Sequence, residues 1–315
     1  MSSTLANRLS YVFDLRGPSL ALDTACSATL YATHLAIRSI LDGDCSQALV
    51  AGSNLVLRLE DSMGFSALGV LSKSGCCSAL SDQADGYIRA DGNVAIVIKP
   101  YDQAVADGDY IYGCLLGTAV NSNGRSANSM ASPSAASQMR VIERAWARAQ
   151  RSPSDVDYVE LHATGTTVGD SIEANAAGQV FSRGRTARPL LVGSVKANVG
   201  HTEFTAFLTS LVKCCSILQS GRVPRQIHCS QLSRKVDWKK YNMGVAGPDS
   251  QLEKDNKELA LIGITSSGFG GANGHAVLEE APAVQTRAPA FNMKAGDPKL
   301  WCVGLLQRDD LKDVS

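Results

Sequence analysis

The chain has 315 residues, 44% apolar and 19% charged, the composition of a globular protein with a sizeable core, folded as one large domain or two small ones. Thirty Lys+Arg balance thirty Asp+Glu, so no basic field draws the protein to nucleic acid or to an anionic membrane surface. No apolar run has the ~18 residues of a membrane span, and the opening MSSTLANRLSYVFDLRGPS lacks a signal peptide's apolar stretch, so the expected location is cytoplasmic.

Residues 19–23 (SLALD) read as a short strand that turns into a helix over 26–41. Leu30, Leu35, Ile37, Ile40 and Leu41 recur there at helical spacing, and Gly43 stops it. Strands are expected over 48–56, over 94–99 (VAIVIK), and over 112–120, the last pairing beside the second. A polar Gly/Ser/Asn/Pro loop fills 121–134, and a helix over 135–151 is broken by Ser152-Pro153-Ser154. Then come a strand over 156–162, a helix over 170–181, a strand over 190–195 and a strongly apolar helix over 202–218. Two strands, 259–265 and 275–279, flank a Gly-rich turn. This alternation predicts an α/β fold, layered α/β/α around a largely parallel sheet. Residues 281–299 read as an Ala/Pro-rich linker, and 300–315 as the start of a further segment.

The nine cysteines contain no C-x-x-C pair, and Cys76/Cys77 and Cys214/Cys215 are adjacent, which suits neither disulfides nor a zinc cage. Reduced thiols are expected. Cys26 stands out because it lies where a predicted strand turns into a helix. Free N–H groups and the helix dipole there favour a thiolate. His162 ends a strand and opens Ala163-Thr164-Gly165-Thr166, while His201 sits between a strand and an apolar helix in Lys196-Ala197-Asn198-Val199-Gly200-His201-Thr202-Glu203. Any one of the three also fits a structural residue. Together they occupy three strand-to-helix junctions, and such junctions on one side of a parallel sheet converge.

The segments DTACSAT, ELHATGT and KANVGHTE, in this order and spacing, resemble the three active-site segments of β-ketoacyl synthases of the polyketide synthase and type I fatty acid synthase branch. GFGGANGHAVLE resembles that family's C-terminal Gly loop, and NRLSYVFDLRGPS, GDSIEANAAGQVF and DWKKYNM are most similar to fungal iterative polyketide synthases. The resemblance spans about residues 5–280. It implies a thiolase-like fold and decarboxylative Claisen condensation of acyl and malonyl thioesters on an acyl carrier protein, in polyketide or fatty acid synthesis. Cys26 is then the acyl-accepting nucleophile, and His162 and His201 assist decarboxylation and hold the developing oxyanion. Lys196 and Glu203 support the site electrostatically. Phe269 and Gly270 belong to the second oxyanion hole, with the Cys26 backbone N–H. Thr164, Thr166, Gly271 and Asn273 are expected to bind the substrate's pantetheine arm. Phosphopantetheine would arrive on the carrier; no tightly bound cofactor and no metal are expected. A homodimer, or association with a larger synthase, is expected.

The family's nucleophile follows the third strand of a first βαβαβ half, yet Cys26 lies 25 residues after Met1. The expectation is therefore a first half (1–134) lacking its first two strands and their helices, a complete second half (135–280), and a linker region over 281–315. Several residues depart from the family pattern: Ala28, Thr29, Ala163, Ser171, Ser267, Ala272, the run Cys77-Ser78-Ala79-Leu80-Ser81, and Phe204 and Phe207, whose bulk would shrink an acyl pocket. Two other readings stay open. One is a catalytically impaired remnant or accessory subunit that binds a partner synthase. The other is a thiolase-like acyltransferase or malonyl decarboxylase. His275, His34 and His228 are expected to be non-catalytic. The Gly loop is followed by a short strand rather than a long helix, which argues against a dinucleotide site. No G-x-S-x-G elbow and no cysteine-protease signature occurs.

Overall fold

The computed structural model describes residues 2–125, 129–130, 132–185, 188–254 and 257–282, and the backbone of 301–305. The first half of the chain forms α1 (Ser3–Val12), α2 (Ala28–Leu41), β1 (Ala48–Asn54), α3 (Leu59–Ala67), β2 (Gly92–Pro100), α4 (Tyr101–Ala106) and β3 (Cys114–Ser122). The second half forms α5 (Ala135–Arg148), β4 (Tyr158–Glu160), α6 (Gly169–Phe181), β5 (Leu190–Gly193), α7 (Lys196–Val199), α8 (Ala206–Ser220), β6 (Met243–Val245), β7 (Leu261–Ser267), β8 (Ala272–Glu279) and β9 (Trp301–Leu305).

One mixed sheet runs β1-β2-β9-β3-β8-β7-β4-β5-β6. Successive side chains of a strand go to opposite faces; both faces are buried in β4, β7 and β8, while β1 and β2 bury mainly one. Ile262, Ile264, Ala276 and Leu278 join one cluster with Leu30 and Ile37 of α2 and Phe207 and Leu211 of α8. Leu261 and Val277 join the other, with Val141 and Trp146 of α5 and Phe181 of α6. The expected α/β/α layering is thus present. A fully buried Leu or Phe side chain contributes roughly 1.5–3 kcal/mol, so these two clusters hold the site's scaffold.

Three expectations need correction. The sheet is not largely parallel throughout: β7, β4, β5 and β6 are parallel, but β1 pairs β2, β3 pairs β8, and β7 pairs β8, all antiparallel. The tight Gly turn between β7 and β8 leaves no room for the crossover that parallel neighbours require. Residues 19–23 form no strand; the pairing nearby is an isolated Thr24–Cys26 bridge. An apolar run becomes a strand only where a neighbour meets its N–H and C=O groups, and none of the described strands lies alongside. Finally, β3 does not pair with β2, because β9 lies between them, parallel to both. The linker over 281–299 lies outside the described residues apart from its first two positions, as does the segment after residue 305.

Candidate active site

The turn that carries Cys26 is gripped from several sides. Asp23 accepts the Ala25 N–H at 2.9 Å, and the Ser27 hydroxyl donates to the Thr24 carbonyl at 2.8 Å. Ala25 adopts φ +53°, a left-handed conformation that costs a residue with a Cβ about 1–3 kcal/mol and persists only where its surroundings over-determine it. The end of β7 and the loop after it supply that constraint. Ser266 donates its hydroxyl to the Cys26 carbonyl at 2.9 Å. A Cβ on Gly268 would come within 2.2 Å of the Thr24 carbonyl oxygen, so only glycine allows this approach. Cys26 therefore sits just ahead of α2, which begins at Ala28 rather than at the expected residue 26.

His162 lies two residues past β4. Glu173 of α6 accepts the backbone N–H groups of His162 and Ala163 at 2.7 and 2.8 Å. Asp170, at the start of α6, accepts those of Gly165 and Thr166 at 3.1 Å each. His201 lies between α7 and α8. Its N–H donates to the Ile88 carbonyl at 2.8 Å, and its carbonyl accepts from the Ala90 N–H at 3.0 Å. Nδ1 of His201 accepts the Glu203 N–H at 3.3 Å, and Nε2 faces Cys26 Sγ at 3.1 Å. The two imidazole rings are 5.4 Å apart, edge to face. One donor atom from each of Cys26, His162 and His201 lies within 4.8 Å of the others, so the three predicted junctions do converge.

Burial dominates the electrostatics. It lowers both imidazoles well below their ordinary range, and the Lys196 charge pushes the same way, so both rings are neutral. Burial also pushes the Cys26 thiol up to about 11, against the pull of Lys196 and of the Phe269 and Cys26 backbone N–H groups. The expected lowering of this thiol by its helix terminus is therefore reversed, because taking a thiolate out of water costs more than those dipoles return. Lys196 is 2% exposed, and burial lowers its own pKa against Glu160, Glu173 and Cys26. Three clustered donors could also suit a metal ion, but the Lys196 ammonium beside them opposes a dication.

Lys196 and Glu203 are both buried. Glu203 is bound by Arg89, in a fork of 2.6 and 2.9 Å. Sequence reading missed Arg89. An Arg amid the apolar lead-in to β2 was the available signal, since a buried guanidinium needs a carboxylate. It also missed Glu160, whose carboxylate accepts from Val195 N–H at 2.6 Å and from Lys213 and Tyr158 at 2.7 Å each, bracing the approach to α7.

The Gly-loop residues divide. Phe269 brings its N–H to Cys26 Sγ while its ring is half exposed. Gly270 (φ +109°) and Gly271 (φ +94°) make the turn. The Asn273 amide is taken up by Asn121, Asn123 and Gly271 at 2.8–3.2 Å and ties the loop to β3. Thr164 is buried and donates to the Thr166 hydroxyl at 3.3 Å. Phe207 packs in the core and Phe204 is exposed, so the expected narrowing of an acyl pocket does not follow from their size. His275 accepts from Trp146 at 3.0 Å and pairs with Thr265 at 3.1 Å, in keeping with a structural role. His34 pairs with the Thr118 hydroxyl at 2.7 Å, and burial beside Arg148, Arg38 and Arg144 lowers it to about 4.

Comparison with known proteins gives one consistent result. The family model described as "Beta-ketoacyl synthase, N-terminal domain" matches residues 1–104, and its C-terminal counterpart matches 112–230. A highly reducing polyketide synthase of Aspergillus nomiae is 43% identical over 288 residues, covering 91% of this chain and 11% of that protein. A phenolphthiocerol/phthiocerol polyketide synthase subunit of Mycobacterium tuberculosis is 43% identical over 285 residues, covering 90% of this chain and 15% of that one. The chain thus spans a small part of the curated relatives it matches. Among solved structures, the ketosynthase from module 6 of the Bacillus subtilis bacillaene synthase superposes with a TM-score of 0.86 at 31% identity, over 90% of this chain and 50% of that one. An oxazolomycin ketosynthase domain of Streptomyces albus gives 0.85 at 33%, with the same coverage. No helix among the described residues is long and apolar enough to cross a membrane. The chain has the thiolase-like α/β fold of these ketosynthases and belongs to the β-ketoacyl synthase family, as a ketosynthase domain of the polyketide synthase kind.

Proposed function

We propose that this chain performs decarboxylative Claisen condensation on carrier-bound thioesters, with Cys26 as nucleophile and His162 and His201 as the groups that meet developing negative charge. The convergence of one thiol and two neutral imidazoles at three loop junctions carries this reading. Cys26 Sγ attacks the acyl thioester carbonyl. The acyl bond to the pantetheine sulfur breaks, and that thiol leaves with the proton Cys26 gives up. A malonyl thioester then loses CO₂, its C–C electron pair becoming an enolate. The enolate carbon attacks the acyl group on Cys26, and the Cys26 thiolate is released. His201 accepts a proton-side bond at Nδ1 from Glu203 N–H, so its Nε2 carries the hydrogen and can donate. His162 brings a ring nitrogen within 4.8 Å of Cys26 Sγ and a His201 ring nitrogen, where it can meet a substrate oxygen; its Nδ1 is buried with no hydrogen-bond partner among the described residues. Two such donors in a water-poor site stabilise an enolate without a strong base.

The finer parts of the reading are proposals of the same standing. They are a fungal-type iterative synthase as source, and an acyl carrier protein as partner, with its phosphopantetheine passing Thr164, Thr166, Gly271 and Asn273. They include the halves 1–134 and 135–280, a second copy or a larger synthase as assembly partner, and the cytoplasm as location. Exposed apolar side chains on α1 (Leu5, Leu9, Val12) support an assembly partner. The thiol held at about 11 favours one second reading, decarboxylation of malonyl thioesters without full condensation, because that step does not require the thiolate. Incubation with an acyl-pantetheine thioester, followed by peptide mapping, tests the main reading. The expected acyl adduct is on Cys26, with a longer β-keto product once malonyl thioester is added. Acylation of another cysteine, or CO₂ release with no acylation, would overturn it.

A further inference from the structure

His201 is held by more than its own loop. Its backbone bridges the segment around Arg89 through both N–H and carbonyl, and the Arg89 side chain reaches the residue that fixes its ring. That residue, Glu203, has φ +44°, a strained conformation for a side chain with a Cβ. In that conformation its N–H meets His201 Nδ1 at 3.3 Å. Its carboxylate, only 8% exposed, is bound by the Arg89 fork at 2.6 and 2.9 Å. The third guanidinium nitrogen donates to Ser62 of α3 at 2.9 Å, and the guanidinium lies 5.1 Å from the centre of the Phe65 ring. Tyr87 closes the group, its ring 5.0 Å from that of His201, edge to face. Arg89 is therefore fixed on three sides, and its planar fork is the kind of donor that holds a carboxylate in one orientation.

We propose that Arg89 is a positioning residue for His201. It pins Glu203 in its strained conformation, so that the Glu203 N–H occupies Nδ1 and the ring hydrogen stays on Nε2, facing Cys26. Without the fork the Glu203 backbone relaxes out of the left-handed region, Nδ1 loses its donor, and the ring is free to carry its hydrogen on either nitrogen. A fraction of the molecules then presents a lone pair where an N–H is needed. The same chain ties α3, none of whose residues is buried, to the reacting centre through Ser62 and Phe65. The rate consequence rests on the condensing reading above; the tautomer consequence does not.

The test uses the full chain with ¹⁵N-labelled histidine, the His201 ring signals being assigned from a His201→Gln sample. The unaltered protein is expected to show an unprotonated Nδ1 and a protonated Nε2. In Arg89→Gln both signals should move toward the average of two tautomers. Malonyl decarboxylation kcat should fall about 10- to 100-fold, the scale of a misplaced catalytic group, with KM within about twofold. Arg89→Lys should recover only part of either effect, because an ammonium cannot form the fork. A fixed Nε2–H tautomer in Arg89→Gln overturns the proposal whatever the rate does. Should Arg89→Gln fail to fold, Arg89→Lys carries the test, and a wild-type spectrum in that variant together with wild-type kcat overturns it. Loss of decarboxylation in the unaltered protein would count against the condensing reading alone, since the tautomer signal remains to be read.

Discussion

The two imidazoles of the site are 5.4 Å apart and are held in opposite ways. His201 has both ring nitrogens engaged, Nδ1 by the Glu203 N–H and Nε2 by Cys26 Sγ, and a charged network lies behind it. His162 is held by its backbone: Glu173 accepts its N–H and that of Ala163, while its ring Nδ1 has no partner among the described residues. One ring is oriented in advance and the other keeps an unused bonding position. The difference teaches that similar residue types in similar junctions are given separate tasks by what stands behind them. On the condensing reading proposed above, His201 serves the sulfur side and His162 the substrate side.

Removing each ring gives the largest test of that division. His201→Ala should lower malonyl decarboxylation by about 10²–10³, the usual loss when one preorganised donor to an oxyanion is deleted. It should also change Cys26 alkylation, because Nε2 touches Sγ. His162→Ala should lower decarboxylation on the same scale and leave the rate of Cys26 alkylation within about threefold, as expected of a donor that acts on substrate alone. Cys26→Ala should abolish acyl transfer while CO₂ release from malonyl thioester stays measurable. Equal alkylation kinetics in the two histidine variants would erase the distinction.

The sulfur side can be read by its pH dependence. A thiol at about 11 is ionised in roughly one molecule per thousand at pH 8. The alkylation rate of Cys26 should therefore climb about tenfold per pH unit from 7 to 10 without reaching a plateau. Lys196→Met removes a charge that lowers this pKa and should slow alkylation further. Glu203→Gln removes one that raises it and should speed the reaction. A plateau below pH 9 in the unaltered protein would show that the helix terminus outweighs burial.

How much of this was legible in the residues follows from what leaves a pattern. Cys26, His162 and His201 stood out because each lies at the end of an apolar run, and the runs around them keep strand or helix period. The two strands around the Gly turn and the layering followed from the same alternation, whereas the antiparallel pairing of β7 with β8 did not. Arg89 left no such mark: its partner is 114 residues away, and no periodicity connects them. Helices α1 and α3 bury no residue; Leu5, Leu9 and Val12 of α1 do stand at helical spacing, but sequence reading passed over them. The direction of the Cys26 shift was misread because the dipole of a helix start can be seen in sequence, whereas the depth of burial depends on loops that arrive from residues 266–269. The 19–23 run illustrates the converse, since apolar alternation without a neighbouring strand produced no strand.

The smallest effect lies behind His162, in the acids that hold its loop. Burial raises Glu173 to about 7 and Asp170 to about 6, although each accepts backbone N–H groups that favour its charged form. In the unfolded chain both ionise near pH 4. Between those values these two groups bind more protons in the native state than in the unfolded one, so their contribution to stability falls as pH rises from about 4 to 7 and is level above that, against the contribution of the buried neutral His34, His162, His201 and His275, which rises up to about pH 6.5. For Glu173 alone the shift corresponds to about 3 kcal/mol across the window. Glu173→Gln should lose one N–H bond, because its amide oxygen can accept from only one of His162 and Ala163, and should be relieved of the buried carboxylate's desolvation above pH 7. Its midpoint should gain on that of the unaltered protein as pH rises from 5 to 7, while the Glu203→Gln midpoint keeps a constant offset. Urea midpoints at pH 5, 6, 7 and 8 for the three proteins decide the matter. A Glu173→Gln midpoint that keeps a constant offset from that of the unaltered protein over the range would mean that the two N–H bonds outweigh burial, and that the His162 side of the site is held by a carboxylate charged throughout.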